Sequence, residues 1–191
     1  MQYYTDIKIQ PNPEIAPQVV LNILYEKLHL VLAEQKRNDV GISFPEADKN
    51  LGTVLRLHGE LDPLQDVLEH RFVKVMQDYA LVGRIKKIPE KTGYLLVSRV
   101  QAKSSPERLR RRSMKCLGLT EEQAKEKIPD SKAKFLDLPF IILNSRSTGQ
   151  KFRLFIRQSE QTSRHSRRVQ HIRTQHNGHS TQILASFEIT P

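Results

Sequence analysis

The first half of the chain switches between strand-like and helix-like spacing of its apolar residues. Residues 3–9 alternate apolar and polar positions, which predicts a half-buried strand. Further strand candidates lie at residues 40–44, 53–57 and 80–88. Over residues 14–35 and 61–79 the apolar residues recur at three- and four-residue steps, which predicts two amphipathic helices. The predicted element order is therefore β-α-β-β-α-β.

This order is the split βαβ arrangement of ferredoxin-like domains, in which two helices would cover one face of an antiparallel sheet. We therefore predict an α+β protein in which residues 1–93 form an N-terminal ferredoxin-like domain. Many RNA-binding modules share this fold, but a fold alone does not assign a function.

The second half is less regular, and we predict a second domain over residues 94–163. A strand candidate at 94–102 leads into a helix that Ser104 to Glu107 would begin, with capping and first-turn residues, and that Gly118 would end. A capping box at residues 120–123 predicts a short second helix, ended by Pro129. Two more strands, at 140–143 and 152–157, are joined by a turn over 144–149.

Charge is distributed unevenly between the two halves. Residues 1–98 carry 12 Lys and Arg against 13 Asp and Glu, whereas residues 99–191 carry 19 against 8, and the whole chain has a net charge of +10. A neutral half joined to a strongly basic half indicates a polyanionic partner. Charge alone does not separate RNA from DNA or from an anionic membrane.

Other features of the composition narrow the class of protein. No apolar run approaches the roughly 20 residues that span a bilayer, and the N-terminus lacks the pattern of a secretory signal. A single cysteine, Cys116, excludes a disulfide framework and a thiolate metal site. We expect a cytoplasmic protein with no membrane association.

The predicted helix after residue 104 is the most basic part of the chain. Residues 108–112 include four arginines, and residues 98–115 hold seven basic residues and one acid. On a helix, one face would carry Arg108, Arg111, Arg112 and Lys115, and the body-facing side would carry Leu109, Ser113, Cys116 and Leu117. Such a stripe can follow a phosphate backbone, each contact adding salt-dependent affinity. The alternative is a solvated basic face.

Smaller signals flank this helix and lie elsewhere. Arg99 and Gln101 would point the same way on a strand. Their side chains suit the edges of guanine and adenine, respectively, although exposed Arg and Gln on strands are common.

His29 lies beside the apolar stripe of the first helix, where it is either a packing residue or a general base with a pKa near neutrality. Ser145 and Ser147 lie in a predicted turn, where serine is also an ordinary loop residue.

Four segments together resemble the repeat-processing endoribonucleases of type I-F CRISPR systems. They are KLH at 27–29, GISFP at 41–45, SRVQAKSSPERLRRR at 98–112 and LDLPFIILNSRSTGQKFRLFIR at 136–157. The resemblance extends in order from residue 1 to about residue 160. It implies an enzyme without metal or cofactor that binds the stem-loop of the CRISPR repeat, cuts at the 3′ base of the stem and stays bound to its product, the mature CRISPR RNA.

The resemblance also implies roles for single residues. His29 corresponds to the proton-transferring histidine, Ser145 to the serine that orients the ribose 2′-hydroxyl, and Ser147 to a second serine of the same turn. Arg99 and Gln101 correspond to the pair that reads the lowest base pairs of the stem.

Further positions match the family's RNA-binding surface. Phe152 corresponds to the aromatic residue that stacks on the terminal base pair. The helix residues that would lie along the major groove are Arg108, Arg111, Arg112 and Lys115. Where the family has two adjacent arginines late in this helix, this chain has Lys115 and Cys116, so one phosphate contact is expected to be weaker and another missing.

The segment 164–191 departs from the resemblance. The family continues there with a Tyr-Gly-Leu-Ser segment whose tyrosine helps to position the catalytic histidine, but this chain has no tyrosine after Tyr94. Four of its seven histidines lie in this tail, yet their spacing fits no standard metal-ligand pattern.

We interpret the tail as the product of a reading-frame shift. Codons for residues 171–178, read one base later, can encode Thr-Tyr-Gly-Leu-Ser, so the expected segment emerges at the expected place. A tail of this origin would make no contact that the fold requires. The alternative is a divergent C-terminus that folds in another way.

Three functions follow from these observations. The first is an active endoribonuclease that processes CRISPR repeats, monomeric on its own and associated with other subunits of the type I-F surveillance complex. The second is a catalytically impaired subunit that only holds the RNA hairpin. The third is a basic nucleic-acid-binding protein unrelated to CRISPR.

Overall fold

The computed structural model describes residues 1–90, 93–100, 106–130, 136–144, 149 and 151–161, together with the backbone of 185–189. The chain divides into two compact units, one of residues 1–99 with 138–191 and one of residues 100–137. Helices combine with antiparallel strand pairs, which confirms the predicted α+β class. The predicted domain boundaries lie elsewhere, after residues 93 and 163. Those domain boundaries stay a prediction.

The first sheet of the larger unit is built around its first strand. Its strands are β1 (Tyr3–Ile9), β2 (Gly41–Ser43), β3 (Val54–Gly59), β4 (Ala80–Val82) and β5 (Lys86–Lys87). They lie in the order β2-β3-β1-β4, and β5 also pairs with β1. The pairs are antiparallel, with Ile7 opposite Leu55 on one side and opposite Val82 on the other.

Two predicted elements of this unit are interrupted. The strand expected over 80–88 is split into β4 and β5: Ile7 pairs with Val82 but Tyr4 pairs with Lys86, so three steps along β1 face four steps on the other side and one extra residue interrupts the pairing. The helix expected over 61–79 is broken into α2 (Leu61–Glu69) and α3 (Arg71–Val75). At the break His70 is extended, with ψ of 141°, and its Nδ1 accepts a hydrogen bond from the Phe72 amide at 3.3 Å.

The first helix, α1 (Pro17–Glu34), begins three residues later than predicted. The reason is a turn in which the Asn12 side chain accepts hydrogen bonds from the amides of Glu14 and Ile15 at 2.8 and 3.0 Å. Proline then occupies the first helical turn, where its missing N–H has no helical partner to lose.

One face of α1 and both sheets enclose a continuous apolar core. Its fully buried members include Leu21, Leu24, Leu28, Leu55, Leu57 and Ile141. The predicted apolar stripe of α1 is only partly correct, because Val19 and Ile23 are 48% and 42% exposed. They lie beside the stripe on the helix, just outside the arc that the sheets cover.

A second sheet completes the larger unit. Its strands are β6 (Gly93–Val100), β7 (Phe140–Asn144), β8 (Lys151–Gln161) and β9 (Ala185–Ile189), in the order β7-β8-β6-β9. The predicted pairing of β7 with β8 is confirmed, with Phe140 opposite Phe155. The strand β9 pairs with residues 93–97 of β6. Residues 185–189 of the tail therefore contact the fold, and the expectation that the fold requires no contact from the tail stays a prediction.

The smaller unit contains α4 (Pro106–Leu117) and α5 (Glu121–Lys127). Gly118 has a φ of +62°, as expected for the residue that ends α4. The capping box of α5 is also confirmed, since the Gln123 amide donates to Thr120 Oγ1 at 3.3 Å and the Thr120 amide donates to Gln123 Oε1 at 3.1 Å. Arg110 joins α4 to the end of α5 by donating to the Ile128 carbonyl at 2.8 Å and to Asp130 at 2.7 Å.

The expected body-facing side of α4 requires a correction. No side chain of this helix is buried, and Leu117 is 60% exposed. Among the described residues, no helix is both long and apolar enough to cross a membrane.

Candidate functional site

His29 lies on α1 and is half-buried. One helical turn before it, Tyr25 is buried at 4% exposure, and the two rings are nearly parallel, with 6.5 Å between their centroids and 14° between their planes. Burial raises the pKa of Tyr25 above its ordinary value, and the charge of Arg99 lowers it in part. The tyrosine therefore keeps its hydroxyl proton at neutral pH and presents a neutral ring to the histidine.

The other side of Tyr25 is held by Phe44, which directly follows β2. Their rings are tilted by 31° at a centroid distance of 6.3 Å. Gln158 of β8 fixes the Phe44 backbone, since its side-chain amide donates to the Phe44 carbonyl and accepts from the Phe44 amide, each at 2.8 Å. Two hydrogen bonds on one residue leave little freedom for the aromatic ring that supports Tyr25.

Arg99 lies near the end of β6 and is half-buried. Burial lowers the pKa of its guanidinium, and Tyr25 raises it in part. The electrostatic effect between Tyr25 and Arg99 is therefore mutual.

The free edge of β7 lies along a polar stripe of α1. Asn22 accepts a hydrogen bond from the Ile142 amide at 3.2 Å, and the Asn144 side chain donates to Glu26 at 3.4 Å. Gln18 donates to the Phe140 carbonyl at 3.5 Å. Because residues 18, 22 and 26 are spaced by one helical turn, they hold this strand parallel to the helix axis.

This contact bears on the predicted serines. Ser145 and Ser147 lie outside the described residues, as does Gln101. Asn144, which directly precedes Ser145, is hydrogen-bonded to Glu26, and Glu26 is three residues before His29 on the same helix. The chain thus enters the predicted catalytic turn beside the helix that carries the predicted base.

Phe152 lies at the start of β8, opposite Leu143 of β7. Its ring is partly buried and packs against the core of the larger unit. Part of its surface stays exposed, which a residue that stacks on a base pair requires.

The predicted basic stripe lies in the smaller unit, on α4. All four of its members are exposed, namely Arg108, Arg111, Arg112 and Lys115. The helix has one further arginine, Arg110, which is half-buried and donates to the Ile128 carbonyl and to Asp130. Arg110 therefore has a structural role, whereas the other three arginines and Lys115 form an exposed basic face.

Sequence reasoning missed three residues around the site: Tyr25, Glu26 and Gln158. One signal was present in the sequence but was not used: Tyr25 and His29 are four residues apart on a helix, a spacing that brings two side chains together. Nothing in the sequence links Gln158 to Phe44, because the contact depends on how two sheets meet. Within the described residues, no three His, Cys, Asp or Glu side chains are placed to hold a metal ion.

Comparisons with known proteins find relatives of this chain. Residues 4–171 match the family described as CRISPR-associated protein (Cas_Csy4). A CRISPR-associated endonuclease Cas6/Csy4 from Pseudomonas aeruginosa (strain UCBPP-PA14) is 46% identical over 160 residues, which are 82% of this chain and 86% of the relative. A protein of the same name from Escherichia coli (strain UTI89 / UPEC) is 40% identical over 160 residues, covering 84% of this chain and 87% of the relative.

Proposed function

Because the chain belongs to the Cas_Csy4 family of CRISPR-associated proteins, we propose that it is an endoribonuclease that matures CRISPR RNA. It binds the stem-loop of the repeat, cuts at the 3′ base of the stem and stays bound to the product. The observation that carries this proposal is the identity of 40–46% with two endonucleases over 160 residues of the chain. The matched family region, residues 4–171, includes every proposed site residue.

In the proposed chemistry His29 removes the proton from the ribose 2′-hydroxyl next to the scissile phosphate. The 2′-oxygen attacks the phosphorus in line, the bond from phosphorus to the 5′-oxygen breaks, and the leaving oxygen takes up a proton from solvent, which produces a 2′,3′-cyclic phosphate and a 5′-hydroxyl end. The attacking group belongs to the RNA itself, so the reaction needs no water nucleophile and no metal. A half-buried imidazole, stacked on Tyr25 but still accessible, suits this role.

Ser145 orients the 2′-hydroxyl, and Ser147 contributes from the same turn. The hydrogen bond from Asn144 to Glu26 supports this assignment, because it holds the start of the turn one helical turn from His29. Orientation of this kind lowers the barrier by fixing the reacting atoms in line before the reaction.

Recognition of the hairpin divides between base contacts and phosphate contacts. Arg99 and Gln101 read the lowest base pairs, Arg through guanine and Gln through adenine, and Phe152 stacks on the terminal pair. The exposed cations of α4 bind phosphates along the major groove. A-form major grooves are usually too narrow for side chains, but a stem of a few pairs is open at its end.

The proposed enzyme works in the cytoplasm, is a monomer on its own and joins other subunits of the type I-F surveillance complex through the RNA that it retains. Its high net charge of +10 supports a polyanionic partner.

The central test replaces His29 by Ala. Cleavage of a repeat hairpin in EDTA should fall by about 10²–10⁴-fold, the usual contribution of a general base, while hairpin affinity stays close to that of the wild type. Single-turnover cleavage and a filter-binding titration measure the two effects. Ile23→Ala serves as the matched control, because Ile23 is 42% exposed and lies about 120° around the same helix from His29.

The same assay tests the nucleophile. A repeat with 2′-deoxyribose before the scissile phosphate should bind and stay intact. Activity that disappears in EDTA and returns with magnesium would rule out the proposed mechanism.

The tail favours a second candidate, a hairpin-binding subunit with impaired catalysis. The family match ends at residue 171, and no tyrosine follows Tyr94 in the sequence. Wild-type protein that binds the hairpin tightly but cuts no faster than His29→Ala would establish this second function.

A further inference from the structure

Tyr25 is a described residue that contacts the proposed base. It is nearly fully buried and stacks on His29, with 6.5 Å between the ring centroids. From this contact we infer that Tyr25 is a positioning residue of the cleavage reaction, whose ring orients the His29 imidazole. This inference rests on the proposed ribonuclease function and assigns a residue to it.

The ring contact limits how the histidine can turn. A centroid distance of 6.5 Å with nearly parallel planes is within the range of an offset aromatic pair. Tyr25 cannot move away from His29, because it packs against Phe44, the residue that follows β2. Gln158 in turn holds the Phe44 backbone by two hydrogen bonds of 2.8 Å. Three elements thus fix the surface on which His29 rests.

The two halves of the tyrosine can be separated by mutation. Tyr25→Phe keeps the ring and removes the hydroxyl, whereas Tyr25→Leu removes both and keeps an apolar side chain. Leu21→Val is the control, because Leu21 is fully buried one turn earlier on the same helix and a loss of packing there changes stability alone.

Two measurements then distinguish positioning from packing. The first is the NMR titration of the His29 imidazole in protein without RNA. The second is the single-turnover cleavage rate of folded protein on the repeat hairpin, with hairpin affinity measured in parallel.

The inference makes a different forecast for each variant. Tyr25→Leu should shift the His29 titration and slow cleavage by about tenfold to a hundredfold, as a misplacement of about 1 Å does, with affinity largely kept. Tyr25→Phe should keep the wild-type titration and most of the rate. Leu21→Val should leave the titration and the rate per folded molecule unchanged.

The result that overturns the inference is an unchanged His29 titration in Tyr25→Leu, with a loss of rate no larger than that of Leu21→Val. A wild-type protein that does not cut the repeat would refute the proposed function instead. The titration does not depend on RNA, so it would still decide whether Tyr25 positions His29.

Discussion

A buried histidine with no role in the proposed chemistry, His58, lies on β3 opposite Gly41 and Tyr4. Its Nε2 is 2.8 Å from the Ser43 hydroxyl, and the side chain is 3% exposed. Burial, with the charges of Arg56 and the N-terminal amine, lowers the pKa of His58 from 6.5 to about 3. The folded protein therefore holds His58 in its neutral form at neutral pH.

This pKa predicts a stability that declines in acid. The unfolded chain binds the proton near pH 6.5 and the folded protein only near pH 3, so His58 stabilises the fold fully above pH 6.5 and loses that contribution as the pH falls. Between pH 7.5 and pH 5 the loss is at most about 2 kcal/mol.

Urea unfolding of the wild type and of His58→Gln, each at pH 7.5 and at pH 5, measures this loss of stability. The glutamine does not titrate, so its free energy of unfolding should fall less on acidification than that of the wild type. Equal losses in the two proteins would mean that His58 already binds its proton in the folded state.

Single residues also show how far a sequence can predict a site. The helical spacing placed His29 beside the apolar face of α1, because that position depends on local periodicity. The contact of Tyr25 with Phe44 comes from the packing of α1 against the residue that follows β2, and no local pattern encodes it. The roles of Ser145, Ser147 and Gln101 come from the family resemblance and stay predictions.

At the scale of elements, local signals predicted starts and ends better than interruptions. Gly118 and the capping box at Thr120 act through neighbouring backbone groups, so both were predictable. The break at His70 was not, because apolar residues keep their helical spacing across it. Tertiary packing there replaces one long helix by two short ones.

The exposed face of α4 leads to a prediction about salt. Replacing Arg111 and Arg112 by Ala removes two candidate phosphate contacts, so hairpin affinity should fall and the slope of log K against log salt should become less steep by about 2. Binding titrations at several salt concentrations measure both quantities.

A charge-matched control separates contact from overall charge. Lys49→Ala with Lys74→Ala removes two exposed positive charges from the larger unit and should change the slope much less. If the two double variants have the same slope, the RNA does not lie on α4.

At the scale of the whole molecule, β9 makes the tail part of the second sheet. Five of its residues pair with β6, the strand that carries Arg99. The sequence indicated a tail outside the fold, because its composition departs from that of the family after residue 163. Backbone pairing depends weakly on side-chain identity, so an atypical sequence can still form an edge strand.

Removing residues 185–191 tests this pairing. The deletion should lower the free energy of unfolding by a few kcal/mol, since each lost hydrogen bond is worth about 1 kcal/mol. Urea unfolding measures the change, and a chain shortened only after Ile189 is the control. A deletion that leaves stability unchanged would support the earlier expectation that the tail is dispensable.

The polar stripe of α1 has a consequence for folding during translation. Asn22 cannot accept its hydrogen bond from the Ile142 amide until Ile142 has been synthesised, 120 residues further along the chain. At 5–20 residues per second, translation of that stretch takes roughly 6–24 seconds. For that time the helix that carries His29 keeps the surface meant for β7 exposed to water, and the nascent chain is open to chaperones and proteases.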